Sequence, residues 1–196
     1  YKIKYYYLME IKDLSVVITT FKSEEIIQSC IDSLPKNIAI FVIENSSNKD
    51  FKQKIESKNS NVRCFLTGEN KGYAVANNIG LSKVKTKYAL LLNPDTTVEH
   101  NTIKNFLEIV DNHPDFWLIG PINNQANKNT FEDKEVIEVE NLKGFAIFFN
   151  MEKFKNNFFD ENFFLYFEET DFCFRAYKLK QKIYVLTDTN VIHKGG

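Results

Sequence analysis

Four short apolar runs, each ending in polar residues and separated by stretches of helical period, constrain the fold of this chain more than any other feature. The first, Leu14-Ser-Val-Val-Ile-Thr-Thr20, is β-branched and bounded by charges before it and Ser23 after it, the pattern of a buried strand. Residues 38–44, 62–67 and 88–92 repeat the pattern. Between the first two runs, Ile26, Ile27, Cys30, Ile31 and Leu34 recur at helical spacing, with Ser23 placed to cap the helix. Pro35 and Asn37 stop it. A short helix is expected over 50–57, and another opens at Gly72 and carries Ala74, Ala76 and Ile79. Strands alternating with helices at this spacing read as βαβ units, so the fold class is α/β, with a mostly parallel central sheet flanked by helices. Right-handed crossovers then bring Thr20, Glu44 and Asp95 to one edge, and ligands of such folds bind outside the carboxyl ends of the strands.

The second half is less regular. Helices are expected over 100–110 and 168–180, and strands over 116–119, 145–149, 183–186 and 190–192. Residues 123–134 are polar and read as a loop or edge excursion.

A length of 196 residues suits one domain spanning 1–196, with no repeat or linker to divide it. Residues 1–12 are expected to be an N-terminal extension, with Met9 as a natural start. The 25 Lys and Arg nearly balance 26 Asp and Glu, for a net charge of −1. That balance gives no electrostatic case for nucleic acid. Eighteen Phe and nine Tyr imply an aromatic core and aromatic-lined grooves. Cys30, Cys64 and Cys173 are far apart with no C-x-x-C pair, which argues against a zinc knuckle or disulfide framework. Buried, reduced thiols in a cytoplasmic protein are expected instead. No apolar segment reaches the roughly 18 residues of a membrane span, so contact with a membrane would be peripheral.

Three stretches can carry chemistry. Asn93-Pro-Asp95 sets a carboxylate directly after a buried strand, where a diphosphate and a hard cation of the magnesium or manganese type would sit. The same three residues also make an ordinary turn. Asn70-Lys-Gly-Tyr-Ala-Val-Ala-Asn-Asn-Ile-Gly80 starts a helix on Gly72 and places two amides, Asn77 and Asn78, in its interior. Propensity disfavours them there, so each needs a loop or a ligand as partner. Phe167-Glu-Glu-Thr-Asp-Phe-Cys-Phe-Arg175 clusters Glu168, Glu169 and Asp171 at a helix start. The helix dipole favours that charge, Asp171 and Arg175 suit an i,i+4 pair, and any of the three carboxylates can act as a general base. His193 follows a strand and precedes Lys-Gly-Gly, where a neutral imidazole can complete a metal site.

Taken in order, these stretches resemble glycosyltransferase family 2, the inverting enzymes of GT-A fold, and within it the rhamnosyltransferase-like branch. The resemblance runs from about Leu14 to Gly196. It is carried by Val-Val-Ile-Thr-Thr20, Glu44-Asn-Ser-Ser, the Asn70–Gly80 stretch, Leu-Asn-Pro-Asp95, Gly144-Phe-Ala, the 167–175 stretch and His193-Lys-Gly-Gly. It implies a nucleotide-sugar donor, a divalent metal, Mg2+ or Mn2+, and a glycan or lipid-linked glycan acceptor. Asp95 would hold the metal, with His193 completing its site and Asn93 standing where a first Asp is often found. Thr19, Thr20, Glu44, Asn70, Lys71, Gly72 and Asn77 would border the nucleotide. Glu44 stands where Asp is usual, and so does Glu169. Glu169 takes the position of the catalytic base, with Asp171 the other candidate.

The implied reaction is one inverting displacement, with dTDP-rhamnose or a UDP-hexose as donor. The product would be a bacterial surface polysaccharide built at the cytoplasmic face of the membrane. The helices that relatives add on the acceptor side are expected to be absent. Two other readings stand beside this one. The substitutions at Glu44, Asn93 and Glu169 allow a degenerate domain that binds a nucleotide sugar without turnover. A sugar nucleotidyltransferase shares the sheet and the metal, but would show a Gly-rich loop after the first strand, where Thr20-Phe-Lys-Ser-Glu-Glu25 has no glycine.

Overall fold

Apolar side chains that alternate to both faces of a strand need cover on both sides, and the first strand has it. In β1 (Leu14–Thr20) every residue is buried. The computed structural model describes residues 11–122, 135–155 and 158–195; the polar excursion at 123–134 and most of the expected N-terminal extension lie outside them. The elements that follow β1 are α1 (Ile27–Asp32), β2 (Ala39–Glu44), α2 (Lys49–Lys58), β3 (Val62–Leu66), α3 (Tyr73–Lys83) and β4 (Tyr88–Leu92). Then come β5 (Thr96–Val98), α4 (Thr102–Asn112), β6 (Phe116–Ile122), β7 (Val136–Glu138), β8 (Ala146–Asn150), α5 (Glu168–Lys178) and β9 (Lys182–His193).

The strands form one sheet in the order β3-β2-β1-β4-β8-β6-β9-β5, with β7 also paired to β9. Its first four strands are parallel, as the βαβ pattern requires. Beyond β4 the sheet is mixed. β8 runs antiparallel to both β4 and β6, while β6 and β9 are parallel. The antiparallel half escaped the sequence pattern because its strands are not regularly interleaved with helices. The two strands expected near 183–192 are one, β9, which carries β6, β7 and β5 along its length. Pro121 sits in β6 beside a register shift, the kind of irregularity that tolerates a residue without an N–H.

Two apolar layers cover the sheet. On one face Val16, Ile18, Ile40 and Val42 meet α1, α2 and α4 through Cys30, Phe51 and Phe106. On the other Val17, Ile43, Leu91 and Phe149 meet α3 and α5 through Ala76 and Phe172. The aromatic excess goes into this core. Phe148 stacks on Phe106 at a centroid distance of 5.1 Å, and Phe149 touches the rings of Phe154, Phe158, Phe159 and Phe172. All three cysteines are free and buried. Burial pushes the Cys30 and Cys173 thiols up to about 11, so they are protonated at neutral pH and unreactive.

Local signals decide the helix starts only in part. Asn48 caps α2 by accepting from Phe51 N at 2.9 Å. Ser23 instead uses its main-chain carbonyl, which accepts from Ile26 N and Ile27 N, while its hydroxyl turns to Phe21 O. The small residues of α3 do what their size suggests. A Cβ at Gly80 would lie 2.4 Å from Val17 Cγ1 and 3.0 Å from Ile43 Cγ1, so α3 approaches β1 and β2 closer than any other residue would allow. Gly80→Ala is therefore expected to destabilise the fold by about 1–3 kcal/mol through overpacking. The check is a lower urea midpoint with an unchanged denaturant slope.

Candidate active site

The parallel register brings the strand ends level. Thr20 pairs with Glu44, Glu44 with Leu66, and Ile18 with Leu92. The residues just past these ends meet the loop before β8 and the start of α5 around an open cavity of about 720 Å³. Thr19, Asn70, Gly72, Asn93, Asp95, Glu169 and His193 all line it. The edge anticipated from topology is thus the edge that carries the cavity.

On one side, Asp95 and His193 face each other, with Oδ2 and Nε2 3.3 Å apart. The pairing of β5 with β9 sets this, because Thr96 is the register partner of His193. Phe145 stacks on the imidazole at 4.9 Å and 8°, which holds the ring edge-on to the carboxylate. The turn itself is tied down: Asn93 N donates to Phe145 O at 2.9 Å, and Thr96 Oγ1 donates to Asn93 O at 2.7 Å. Among the described residues no group of three or more His, Cys, Asp and Glu side chains is gathered for a metal. One carboxylate and one imidazole fit an ion that takes its other ligands from phosphate and water, as magnesium-type sites do.

The floor is built by Gly72, which the resemblance set beside the nucleotide, and by Tyr73 and Asn45, which stand in the same motifs with no task assigned. Gly72 has φ +83, and a Cβ there would lie 2.5 Å from Phe164 O. That bare backbone lets Tyr73 N donate to Phe164 O at 2.7 Å. The Tyr73 hydroxyl lies 2.7 Å from Asn93 Oδ1 and 3.1 Å from Gly144 O. Burial, with Glu168, Glu169 and Asp95 nearby, pushes its pKa well above the ordinary phenol value, so it stays a neutral donor. Asn45 is the latch of the opposite wall. Its amide donates to Asn70 Oδ1 and Gly72 O and its oxygen accepts from Lys71 N.

Of the paired asparagines of α3, Asn78 has the partners its position demanded and Asn77 has one for its oxygen alone among the described residues. Asn78 takes both main-chain groups of Phe159, at 2.9 Å and 3.0 Å. Asn77, fully buried, accepts from Thr19 Oγ1 below the cavity.

The acidic start of α5 separates its three carboxylates. Glu169 lines the cavity beside Gly144. Asp171 does not line it and is held by Arg175 at 2.8 Å, whose other arm donates to Phe158 O. Glu168 lines the cavity, yet its side chain is buried and its Oε2 has no partner among the described residues. Burial raises its pKa, and Glu169 adds to the shift. Thr20, Glu44 and Lys71 are not among the lining residues. Thr20 and Glu44 are buried neighbours, each with an oxygen unpartnered among the described residues, and burial raises the Glu44 pKa against the lowering effect of the Ser46 hydroxyl. Lys71 pairs with Glu69 at 3.0 Å on the surface.

Sequence reasoning missed Asn45 and Tyr73 as site residues, and held Glu168 only as one of three possible bases. Each stands inside a quoted motif, but what marks it is a hydrogen bond or a burial that no spacing reveals.

Solved structures share this architecture. That of S. aureus TarS 1–349 in complex with UDP-GlcNAc superposes with a TM-score of 0.72 at 22% identity, over 93% of this chain and 59% of that one. That of GalNAc-T7 with UDP, GalNAc and Mn2+ gives 0.74 at 15% identity, over 92% of this chain and 43% of that one. The fold is that of the GT-A glycosyltransferases. The family model for glycosyl transferase family 2 matches residues 15–178, and the chain belongs to that family. A low-salt glycan biosynthesis hexosyltransferase, Agl10 of Haloferax volcanii, is 24% identical over 191 residues, 84% of this chain and 61% of that protein. The teichoic acid poly(glycerol phosphate) polymerase of Staphylococcus epidermidis is 27% identical over 136 residues, 65% of this chain and 19% of that protein.

The orphaned Glu168 carboxyl makes stability depend on pH. With its pKa raised, the native state holds its proton more tightly than the unfolded chain does. Stability therefore falls as pH rises above the ordinary glutamate value of about 4.3 and through the raised native value. Glu168→Gln keeps the shape and removes the charge. Its melting temperature should match wild type near pH 4 and exceed it increasingly as pH rises through the raised native value, as read by thermal unfolding from about pH 4 to 7.5.

Proposed function

We propose that this chain transfers a sugar from a nucleoside-diphosphate donor to a hydroxyl of a glycan or lipid-linked glycan, with inversion at the anomeric carbon. The observation that supports this reading is the convergence of Asp95, His193 and Glu169, from three separate parts of the chain, on one open cavity at the carboxyl edge of the sheet. Asp95 and His193 are the residues that would hold a magnesium or manganese ion. Such an ion supplies charge stabilisation to the departing diphosphate.

Glu169 is assigned the base. Its carboxylate takes the proton from the acceptor hydroxyl as that oxygen bonds to the anomeric carbon. The bond from that carbon to the diphosphate oxygen breaks, and the electron pair leaves with the nucleoside diphosphate. Asp171 is the weaker candidate, because its carboxylate is spent on Arg175. Tyr73, a neutral donor fixed between Asn93 and Gly144, sets the Asn93 amide at the donor side.

For the donor, the solved relatives in complex with UDP and UDP-GlcNAc weigh toward a UDP-hexose, with dTDP-rhamnose the second choice. The Haloferax hexosyltransferase of glycan biosynthesis weighs toward a glycan product. Among the described residues no helix is long and apolar enough to cross a membrane.

The test is nucleoside diphosphate release from UDP-, dTDP- and GDP-sugars with manganese or magnesium present. Glu169→Gln should lower turnover by about 10²–10⁴-fold while calorimetry still detects UDP binding. Asp95→Ala should remove the dependence of UDP affinity on the metal. An active Glu169→Gln beside an inactive Asp171→Asn would move the base to Asp171. A wild type that binds UDP yet releases nothing from any donor would instead favour the non-catalytic binding domain.

A further inference from the structure

The mouth of the cavity is apolar where a soluble surface would ordinarily be polar. Phe164, Leu165 and Tyr166 line it and are 58%, 51% and 70% exposed. Their exposure is not slack. Phe164 O is bonded to Tyr73 N on one side, and Asp171 N bonds to Phe167 O on the other. Between these ties Tyr166 and Phe167 both adopt left-handed backbone, φ +69 and +71, a conformation that bulky L residues rarely adopt. Burial does not repay that strain at Tyr166, whose ring stands in water at the cavity rim. Strain retained without a packing return points to a ligand.

The charges around the rim narrow its chemistry. The cavity holds Asp95, Glu168 and Glu169 against Lys143 and Lys194, with no arginine among the described residues that line it. A phosphodiester polymer or an anionic lipid surface laid across the rim would meet carboxylates and find no guanidinium fork, whereas a donor diphosphate would have the ion held by Asp95 and His193. A pyranose brings neither difficulty. One face of its ring presents C–H groups that stack on an aromatic face, while its hydroxyls stay solvated at the rim.

We propose that Phe164 and Tyr166 form a stacking platform for a neutral pyranose ring of the acceptor, placing a hydroxyl of that sugar at Glu169. The proposal rests on the reading of the site as a glycosyltransferase centre, and adds that the acceptor is a neutral glycan and not a polyol phosphate polymer.

The experiment is saturation-transfer NMR on the whole chain with chitotriose, cellotriose and maltotriose, each with and without UDP. Poly(glycerol phosphate) and phosphatidylglycerol vesicles are run beside them. At least one trisaccharide is expected to bind, Tyr166→Ala to weaken it by about tenfold, and Tyr166→Phe to restore it. The Phe variant also guards against a folding artefact, since it keeps the ring and the strained backbone. Trisaccharide binding indifferent to Tyr166→Ala overturns the platform. So does binding of the polymer or the vesicles, but of no trisaccharide. Tyr166-dependent saccharide binding in a protein that fails to bind UDP would leave the platform standing and remove the donor site.

Discussion

The main-chain hydrogen bond from Tyr73 N to Phe164 O joins residues from the two halves of the chain, and the site depends on it. It forms only because Gly72 carries no side chain to strike that carbonyl. With the backbone fixed there, the Tyr73 ring reaches the Asn-Pro-Asp turn and the Gly144 loop together. Three loops that belong to different crossovers thus share one anchor, and the side chains they carry are held in register with each other. A site built this way has its geometry set before any ligand arrives, which is what positioning and electrostatic stabilisation require.

The same region concentrates the polar groups that burial leaves unsatisfied. Of the five buried side-chain atoms without partners among the described residues, Asn150 Oδ1 lies at the opposite edge, beside Tyr88, and the other four are Thr20 Oγ1, Glu44 Oε2, Asn77 Nδ2 and Glu168 Oε2; each such group costs roughly 1–3 kcal/mol. These four lie at or just below the carboxyl edge of the sheet, whereas the core beneath is apolar and densely aromatic. Native proteins break the rule of polar satisfaction chiefly where function requires it.

The first four strands were legible in the sequence because a parallel βαβ sheet writes itself as uninterrupted apolar runs. The motifs at the strand ends were legible for the same reason: a polar residue following such a run can only emerge at the edge. The antiparallel half was not legible as a sheet. Its short strands β5 and β7 find their hydrogen-bonding partner in β9, a neighbour distant in sequence, and no local period records that pairing.

Residue type and order alone determined the α/β class, the edge that carries the cavity, and the carboxylates and imidazole at that edge. Tertiary structure decided which of them act together. Glu169 faces the cavity while Asp171 is bound to Arg175, although the two share a single helical turn. Phe164 and Tyr166 stand exposed at the mouth while Phe172 is sealed in the core. Nothing in composition or spacing separates these cases. Which way a side chain points follows from the helix face it occupies and from what the rest of the chain packs against that face, and those contacts come from strands and loops far away in sequence.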